Sequence, residues 1–276
     1  MKSRYLSGLF GACLACLAGP AAALIVDCPP AQGAGRFSVF LSEPSGGALT
    51  AAQLKPFLQR LQFELDRNRD GQWINAPSTD VSFVACPGRA PALDGQDFNA
   101  TLVDGLQSRG VLLEVWGLFD SEPGVGGAPR LSAQMNYLLV PLQFAVNQRE
   151  AAPTALQRLR YPEAGTAAQS PVQDPVQLIS RPLDIDAFVA TAFGYKLLRG
   201  RSYEPAHANL CRANSLLETM ARRPLAGRSK TELAGLRAFV LESAGRAVRE
   251  ALADPGYSKS GVLRLQNPAR PCAGEE

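Results

Sequence analysis

His207 is the single histidine of the chain, and it stands four residues before Cys211. On a helix that spacing puts imidazole and sulfur on one face, an arrangement that can activate a thiolate nucleophile. The competing reading is structural. With Cys211 oxidised in a disulfide there is no thiol to activate, and His207 becomes a half-exposed helical residue. The cysteine arithmetic below favours the structural reading. One histidine also excludes His-pair metal sites and leaves a Ser-His-Asp arrangement only one possible base.

Asp66-Arg67-Asn68-Arg69-Asp70-Gly71 matches the first half of a calcium loop, with oxygen ligands at alternate positions and then the turn glycine. The closing bidentate carboxylate is missing, because Pro77 stands in its place. Asp66, Asn68 and Asp70 read better as a helix end followed by an Asp-Gly turn, where short polar side chains bond their own backbone. No metal and no cofactor is expected.

Gly124-Val125-Gly126-Gly127 has the composition of a phosphate loop, but such a loop leads into a helix carrying Lys-Ser/Thr. Here a strand follows, so the stretch reads as a hairpin tip. Arg222, Arg223, Arg228 and Lys230 surround a turn at 224–227 and form a basic patch that could meet an acidic partner or lipid headgroups. The alternative is a solvated helix–helix turn whose arginines complement a helix dipole. Asp94, Asp97 and Asp104 are the carboxylates a hydrolase would draw on. Nothing in the pattern sets two of them face to face, so no catalytic residue is assigned and no enzyme is expected.

The compartment follows from the N-terminus. Lys2 and Arg4 precede an uncharged apolar run at 6–17, then Gly19-Pro20 and Ala21-Ala22-Ala23. That is the pattern of a secretory signal peptide, residues 1–23, cleaved near Ala23. The run is too short for a membrane span of about 20 apolar residues, so no transmembrane anchor is expected. Lipidation is not expected either: Cys13 and Cys16 lack the leucine three positions upstream. Six cysteines become four after cleavage: Cys28, Cys86, Cys211 and Cys272. An even number in an exported chain reads as two disulfides. The pairing expected is Cys28 with Cys86 and Cys211 with Cys272, each bond inside its own half. The compartment is the periplasm or the exterior.

The chain has 276 residues, 46% of them hydrophobic, enough for a packed core. Its 28 basic and 25 acidic residues give a net charge of +3, which argues against a nucleic-acid binder.

The elements that would position these groups fall into two parts. Residues 36–41 (RFSVFL) read as a strand, and 50–66 as a helix with Leu54, Phe57, Leu58, Leu61, Phe63 and Leu65 near helical spacing. Residues 73–74 and 81–85 are short strand candidates. A helix over 98–109 is closed by Gly110. A strand follows at 111–119, and after the glycine-rich loop a long strand at 131–146, interrupted at Pro141. Strands 36–41 and 111–119 are expected to be neighbours under helix 50–66, burying Val39, Leu41, Leu58, Leu61, Leu113 and Val115. Residues 148–183, punctuated by Pro153, Pro162, Pro171, Pro175 and Pro182, read as a linker or an extended crossing segment. Helices are expected at 184–198, ended by Gly200, at 203–222 and at 229–253. The fold class is therefore α+β: an α/β-type domain with a mixed sheet at 24–147, the Pro-rich linker, and a helical hairpin with a third helix at 184–276.

Two resemblances accompany this reading. Gly194, Leu197, Tyr203, Ala206, Leu210 and Ala213 fall at the spacing of a tetratricopeptide repeat, so residues 187–220 resemble a single such repeat, with Glu218 where its terminal proline belongs. Any antiparallel helical hairpin also needs small residues at its crossing. Over residues 33–147, RFSVFL, the long helix, the strand ending in Trp116-Gly117 and the strand holding Tyr137-Leu138-Leu139-Val140 resemble the α/β domain of the curli-assembly factor CsgG. The same domain class occurs in periplasmic activators of penicillin-binding proteins. The chain departs from that class in lacking its lipid-modified cysteine, and Cys28 and Cys86 are not part of the pattern. The resemblance implies a non-enzymatic envelope protein of assembly or regulation that works by contact with a protein partner. The alternatives are an exported hydrolase or a solute-binding protein using a cleft between the halves. Oligomeric state stays open.

Overall fold

The computed structural model describes Cys28, Gln59, residues 62–63, Cys272 and the segments 37–43, 81–89, 100–123, 129–143, 153–164, 182–223 and 229–257. Five strands, β1 (Phe37–Glu43), β2 (Val81–Arg89), β3 (Val111–Pro123), β4 (Pro129–Leu139) and β5 (Leu156–Ala164), form one mixed sheet in the order β2-β1-β3-β4-β5. β2, β1 and β3 run parallel, and β4 and β5 are antiparallel to their neighbours. β2 and β3 lie parallel on either side of β1, so the chain must cross over between them, and α1 (Ala100–Ser108) lies in that crossover. Three long helices follow: α2 (Pro182–Arg199), α3 (Tyr203–Ala221) and α4 (Ser229–Ala253).

The register decides which side chains share a face. Val39 pairs with Leu113 and Leu113 with Leu139; Leu41 pairs with Val115 and Val115 with Tyr137. All of these are buried, as the alternation of the sequence predicts for Val39, Leu41, Leu113 and Val115. On this face lies α2. Phe188 stacks on Tyr137 with ring centroids 4.0 Å apart, and Phe193 meets Phe37 edge-on at 5.5 Å. The other sides of α2 are taken by α3, where Gly194 faces Leu210, and by α4, where Tyr195 lies against Phe239. A helix enclosed on every side is apolar all round, and Ile185, Ala187, Val189, Ala190, Ala192 and Leu198 are buried. Sheet and helices therefore share one hydrophobic core, where the sequence suggested halves that fold separately.

Residues 148–183 differ from the linker or crossing segment expected, because β5 lies within them and completes the sheet beside β4. Prolines disguised it. Pro162 has no N–H to give a ladder, a defect tolerated at an edge strand, and the register shifts opposite it between Leu131 and Ala133. The outer edge of β5 is blunted by the first residue of α4. Ser229 Oγ accepts from the Arg160 N–H at 3.1 Å and donates to the Arg158 carbonyl at 3.3 Å, satisfying groups that would otherwise template another strand.

Other boundaries moved for local reasons. β4 stops at Leu139, before Pro141, and its hairpin with β3 closes at the pair Pro123–Pro129, with the glycine stretch in the connection, outside the described residues. Of the helix expected at 50–66, the described residues Gln59, Gln62 and Phe63 are helical, and Gln62 Nε2 donates to the Phe83 carbonyl at 2.9 Å. Phe63 is 63% exposed; nine residues beyond Leu54, it falls half a turn away from the apolar stripe. Leu58, Leu61 and residues 73–74 lie outside the described residues. The end of α2 is set one residue later than Gly200: Arg201 takes the left-handed conformation at φ 58°, while Ser202 N–H reaches the Leu197 carbonyl at 2.9 Å.

Gly194 makes a prediction at the α2–α3 crossing. A Cβ there would sit 2.8 Å from Leu210 Cγ and 3.1 Å from the Leu210 backbone nitrogen. Gly194→Ala gains up to about 1 kcal/mol of helix preference but overpacks the crossing, which costs roughly 1–3 kcal/mol. A net loss of about 1 kcal/mol is expected, read as a lower urea midpoint; a raised midpoint would mean the helices separate freely.

Candidate functional site

A cleft opens at one end of the sheet, where β3 begins, β4 ends, and the last turns of α1 and α2 converge. Its volume is about 310 Å³. Each wall is placed by a local signal. Gly110, at φ 72°, ends α1; its N–H bonds the Gln107 carbonyl and its own carbonyl accepts from Ser38 N–H, both at 2.9 Å. That fixes Gln107 beside Val111 and Leu112 at the head of β3. The Val140 N–H bonds the Leu112 carbonyl at 3.0 Å, bringing Val140 and Pro141 to the floor beside Phe37. The rim opposite is the last turn of α2, with Lys196, Arg199 and Gly200.

The electrostatics of this end are those of a cation pair over an apolar floor. The carbonyls of Lys196, Leu197 and Leu198 accept the backbone N–H groups of Gly200, Ser202 and Arg201, which closes the helix end. Gln107 Oε1 is buried and has no hydrogen-bond partner among the described residues. Such an orphan acceptor is costly unless something donates to it.

Two buried carboxyls lie away from the cleft. Glu114, on the opposite sheet face from α2, pairs across the ladder with Phe40 and Leu138. It accepts from Ser42 Oγ at 2.9 Å, and its Oε2 is unpartnered among the described residues. Burial pushes its pKa up to about 7, with the Ser42 hydrogen bond pulling slightly the other way. Asp186, in the first turns of α2, is raised to about 6 by burial, against the pull of Arg212 at 3.9 Å. Its neighbour Asp184 is held by Arg223 at 2.6 Å. Arg212 comes from α3 and Arg223 from just past its end, so the paired acids tie α2 to α3 and to the turn that follows it.

The residues singled out in the sequence fall as follows. Cys28 bonds Cys86 and Cys211 bonds Cys272, the pairing expected. His207 Nε2 is 3.5 Å from Cys211 Sγ, but that sulfur is committed to its disulfide. His207 is 9% exposed, not half-exposed, because it faces the core side of α3. Arg223 is spent on Asp184, and Arg222 pairs with Glu218 at 2.8 Å; that hydrogen bond, followed by Arg237, holds the Glu218 carboxyl below its ordinary range. Arg222 and Arg223 of the basic patch thus serve contacts within the chain. Lys230 is exposed, and Arg228 lies outside the described residues. Asp104 is exposed on α1, whereas Asp94, Asp97, Asp66, Asn68 and Asp70 lie outside the described residues. Among the described residues, no cluster of three or more His, Cys, Asp or Glu could hold a metal, and no helix is long and apolar enough to cross a membrane. Gln107, Lys196 and Arg199 were not singled out. Basic residues in a last helical turn read as complements to the dipole, and nothing local signals a cleft assembled from four separate segments.

No family model matches the chain, and no curated protein matches it. Among solved structures it is similar to a PelC dodecamer from Paraburkholderia phytofirmans, at 14% identity, covering 41% of this chain and 68% of that chain, with a TM-score of 0.20.

Proposed function

We propose that this chain is an exported periplasmic binding protein of envelope assembly or regulation, acting by protein–protein contact. The observation that carries the reading is the makeup of the cleft: an apolar floor of Phe37, Val140 and Pro141, with an amide and two cations, Gln107, Lys196 and Arg199, around it. That chemistry holds a hydrophobic group and an anion together. The two disulfides are consistent with export, and the resemblance to CsgG-like domains and activators of penicillin-binding proteins points the same way.

A solute-binding protein would draw on the same cleft. Its volume of about 310 Å³ sits at the bottom of the roughly 300–1,000 Å³ range of small-molecule pockets. That favours part of a larger partner over a whole solute. The deciding experiment is affinity purification of the tagged protein from periplasmic extract, followed by native mass spectrometry. A stoichiometric protein partner is expected. A bound small molecule with no protein partner would replace this reading with the solute-binding one.

A further inference from the structure

We infer that Cys272 is an entry point for thiol–disulfide exchange, at which a partner dithiol opens the Cys211–Cys272 bond with Cys211 as the leaving group. The inference goes beyond the binding reading above and holds whatever the cleft takes. The two sulfurs of this bond differ in what an exchange asks of each. Cys272 is only partly buried, so an incoming thiolate can reach it, whereas Cys211 is 2% exposed. His207 Nε2 lies 3.5 Å from Cys211 Sγ, both side chains being on the buried side of α3. A sulfur in a disulfide carries no hydrogen, so at this contact the imidazole N–H donates and the sulfur accepts. When the bond breaks, the same N–H faces a thiolate, and a hydrogen bond to a charged acceptor is the stronger kind. That lowers the pKa of the departing thiol, and a thiol of lower pKa leaves faster.

The Cys28–Cys86 bond has no such asymmetry. Cys28 and Cys86 are both buried, so neither sulfur is open to attack. Cys86 Sγ lies 3.7 Å from the Val84 carbonyl, an acceptor that would repel a thiolate. Arg109, the cation on this side, gives Nη2 to the Cys28 carbonyl at 2.8 Å. At the other bond the co-reactant is a protein dithiol of the Cys-X-X-Cys type, whose first cysteine is a thiolate. That thiolate attacks Cys272 Sγ, the Cys211–Cys272 bond breaks, and Cys211 departs with the electron pair. The partner's second cysteine, as a thiolate, then attacks its neighbour in the mixed disulfide and releases Cys272. The partner ends as a disulfide, this chain has gained two electrons, and the two protons of the partner's thiols end on Cys211 and Cys272.

The first probe is reduced glutathione, applied without denaturant to the full mature protein. Samples taken early are quenched in acid, alkylated, digested and mapped by mass spectrometry. Glutathione on Cys272 with an alkylated Cys211 is expected, with Cys28–Cys86 opening at least about ten-fold more slowly, the factor for one hydrogen bond to a charged group. His207→Phe should slow the opening of Cys211–Cys272 by a similar factor, about ten-fold, and His207→Gln, which keeps an N–H donor, should restore part of the rate. A merely structural loss at His207 would loosen α3 and speed the opening instead. The second probe is a thioredoxin whose second active-site cysteine is replaced by serine, which should be trapped covalently on Cys272. The point of attack and the ratio between the two bonds are read on the wild-type protein, so they stand even if a variant does not fold. Equal opening of both bonds, glutathione on Cys211, no opening at all, no trapped thioredoxin, or a His207→Phe rate at or above that of the wild type would each overturn the inference.

Discussion

Phe188→Ala should cost about 3–5 kcal/mol of stability, the range for emptying a fully buried aromatic site. The side chain is 0% exposed and stacks on Tyr137 at 4.0 Å and 19°, a pairing worth roughly 0.5–1.5 kcal/mol beyond area burial. The contact is also the seam between sheet and helices. α2 lies on the sheet through Phe188 and Phe193 and passes its other sides to α3 and α4. Neither disulfide crosses this seam: Cys28–Cys86 closes the sheet side and Cys211–Cys272 the helical side. Packing joins the two, with the Ser229 hydrogen bonds to β5 beside it. Against a usual total of about 5–15 kcal/mol, the loss should move the urea midpoint far down. Because the core is continuous, helical circular dichroism and tryptophan fluorescence, measured in a Trp73→Phe background so that it reports Trp116 in β3 alone, should shift together in one transition. If fluorescence moved while the helical signal kept its wild-type midpoint, the halves would be independent units and the shared core would carry little energy.

Much of this architecture was legible in advance, and the failures have physical causes. RFSVFL and the run from Val111 are short, largely apolar stretches, the pattern of strands covered on both faces, and residues 38–41 and 111–117 are buried. Ser229 to Ala253 was bounded correctly because serine opens the helix and Pro255 follows its end. The cysteine pairing was recoverable because each bond stays within one half of the chain, its cysteines 58 and 61 residues apart. β5 was not recoverable. Arg158 and Arg160 break its apolar alternation and Pro162 interrupts its ladder, and only the completed edge of β4 gives that segment a reason to be a strand. The enclosure of α2 was hidden in the same way: an apolar helix declares that it is buried, not what buries it. The candidate site lay further still from view. Its residues come from four stretches between Phe37 and Gly200, and none carries a local pattern distinguishing a cleft wall from an ordinary turn.

Raising the pH from about 4 to 8 should weaken the fold by about 3 kcal/mol through Glu114, and Glu114→Gln should remove most of that slope. In the unfolded chain a glutamate ionises near pH 4.3; in the folded chain burial holds it protonated up to about pH 7. Between those values the folded state binds more protons than the unfolded one, so stability falls as pH rises. Below about pH 4 both states are protonated, and above pH 7 both are ionised, so the loss is complete and constant there. The difference in pKa, at about 1.4 kcal/mol per unit, gives the figure of about 3 kcal/mol. Asp186, raised to about 6, acts with the same sign over pH 4–6 and leaves a smaller residual slope in the variant. Glutamine keeps an oxygen for the Ser42 hydroxyl, which now bonds Glu114 Oε1. It also sets an amide N–H₂ where Oε2 has no partner among the described residues, and an unsatisfied buried donor costs roughly 1–3 kcal/mol. The amide cost is present at both pH values and the ionisation term only at the higher one, so the variant should be about 1–3 kcal/mol less stable than the wild type near pH 4 and level with it, or up to about 2 kcal/mol more stable, at pH 8. Urea unfolding of both proteins at the two pH values measures this. A difference between them that is the same at pH 4 and pH 8 would mean Glu114 is already ionised in the fold, with a partner on its second oxygen that offsets its burial.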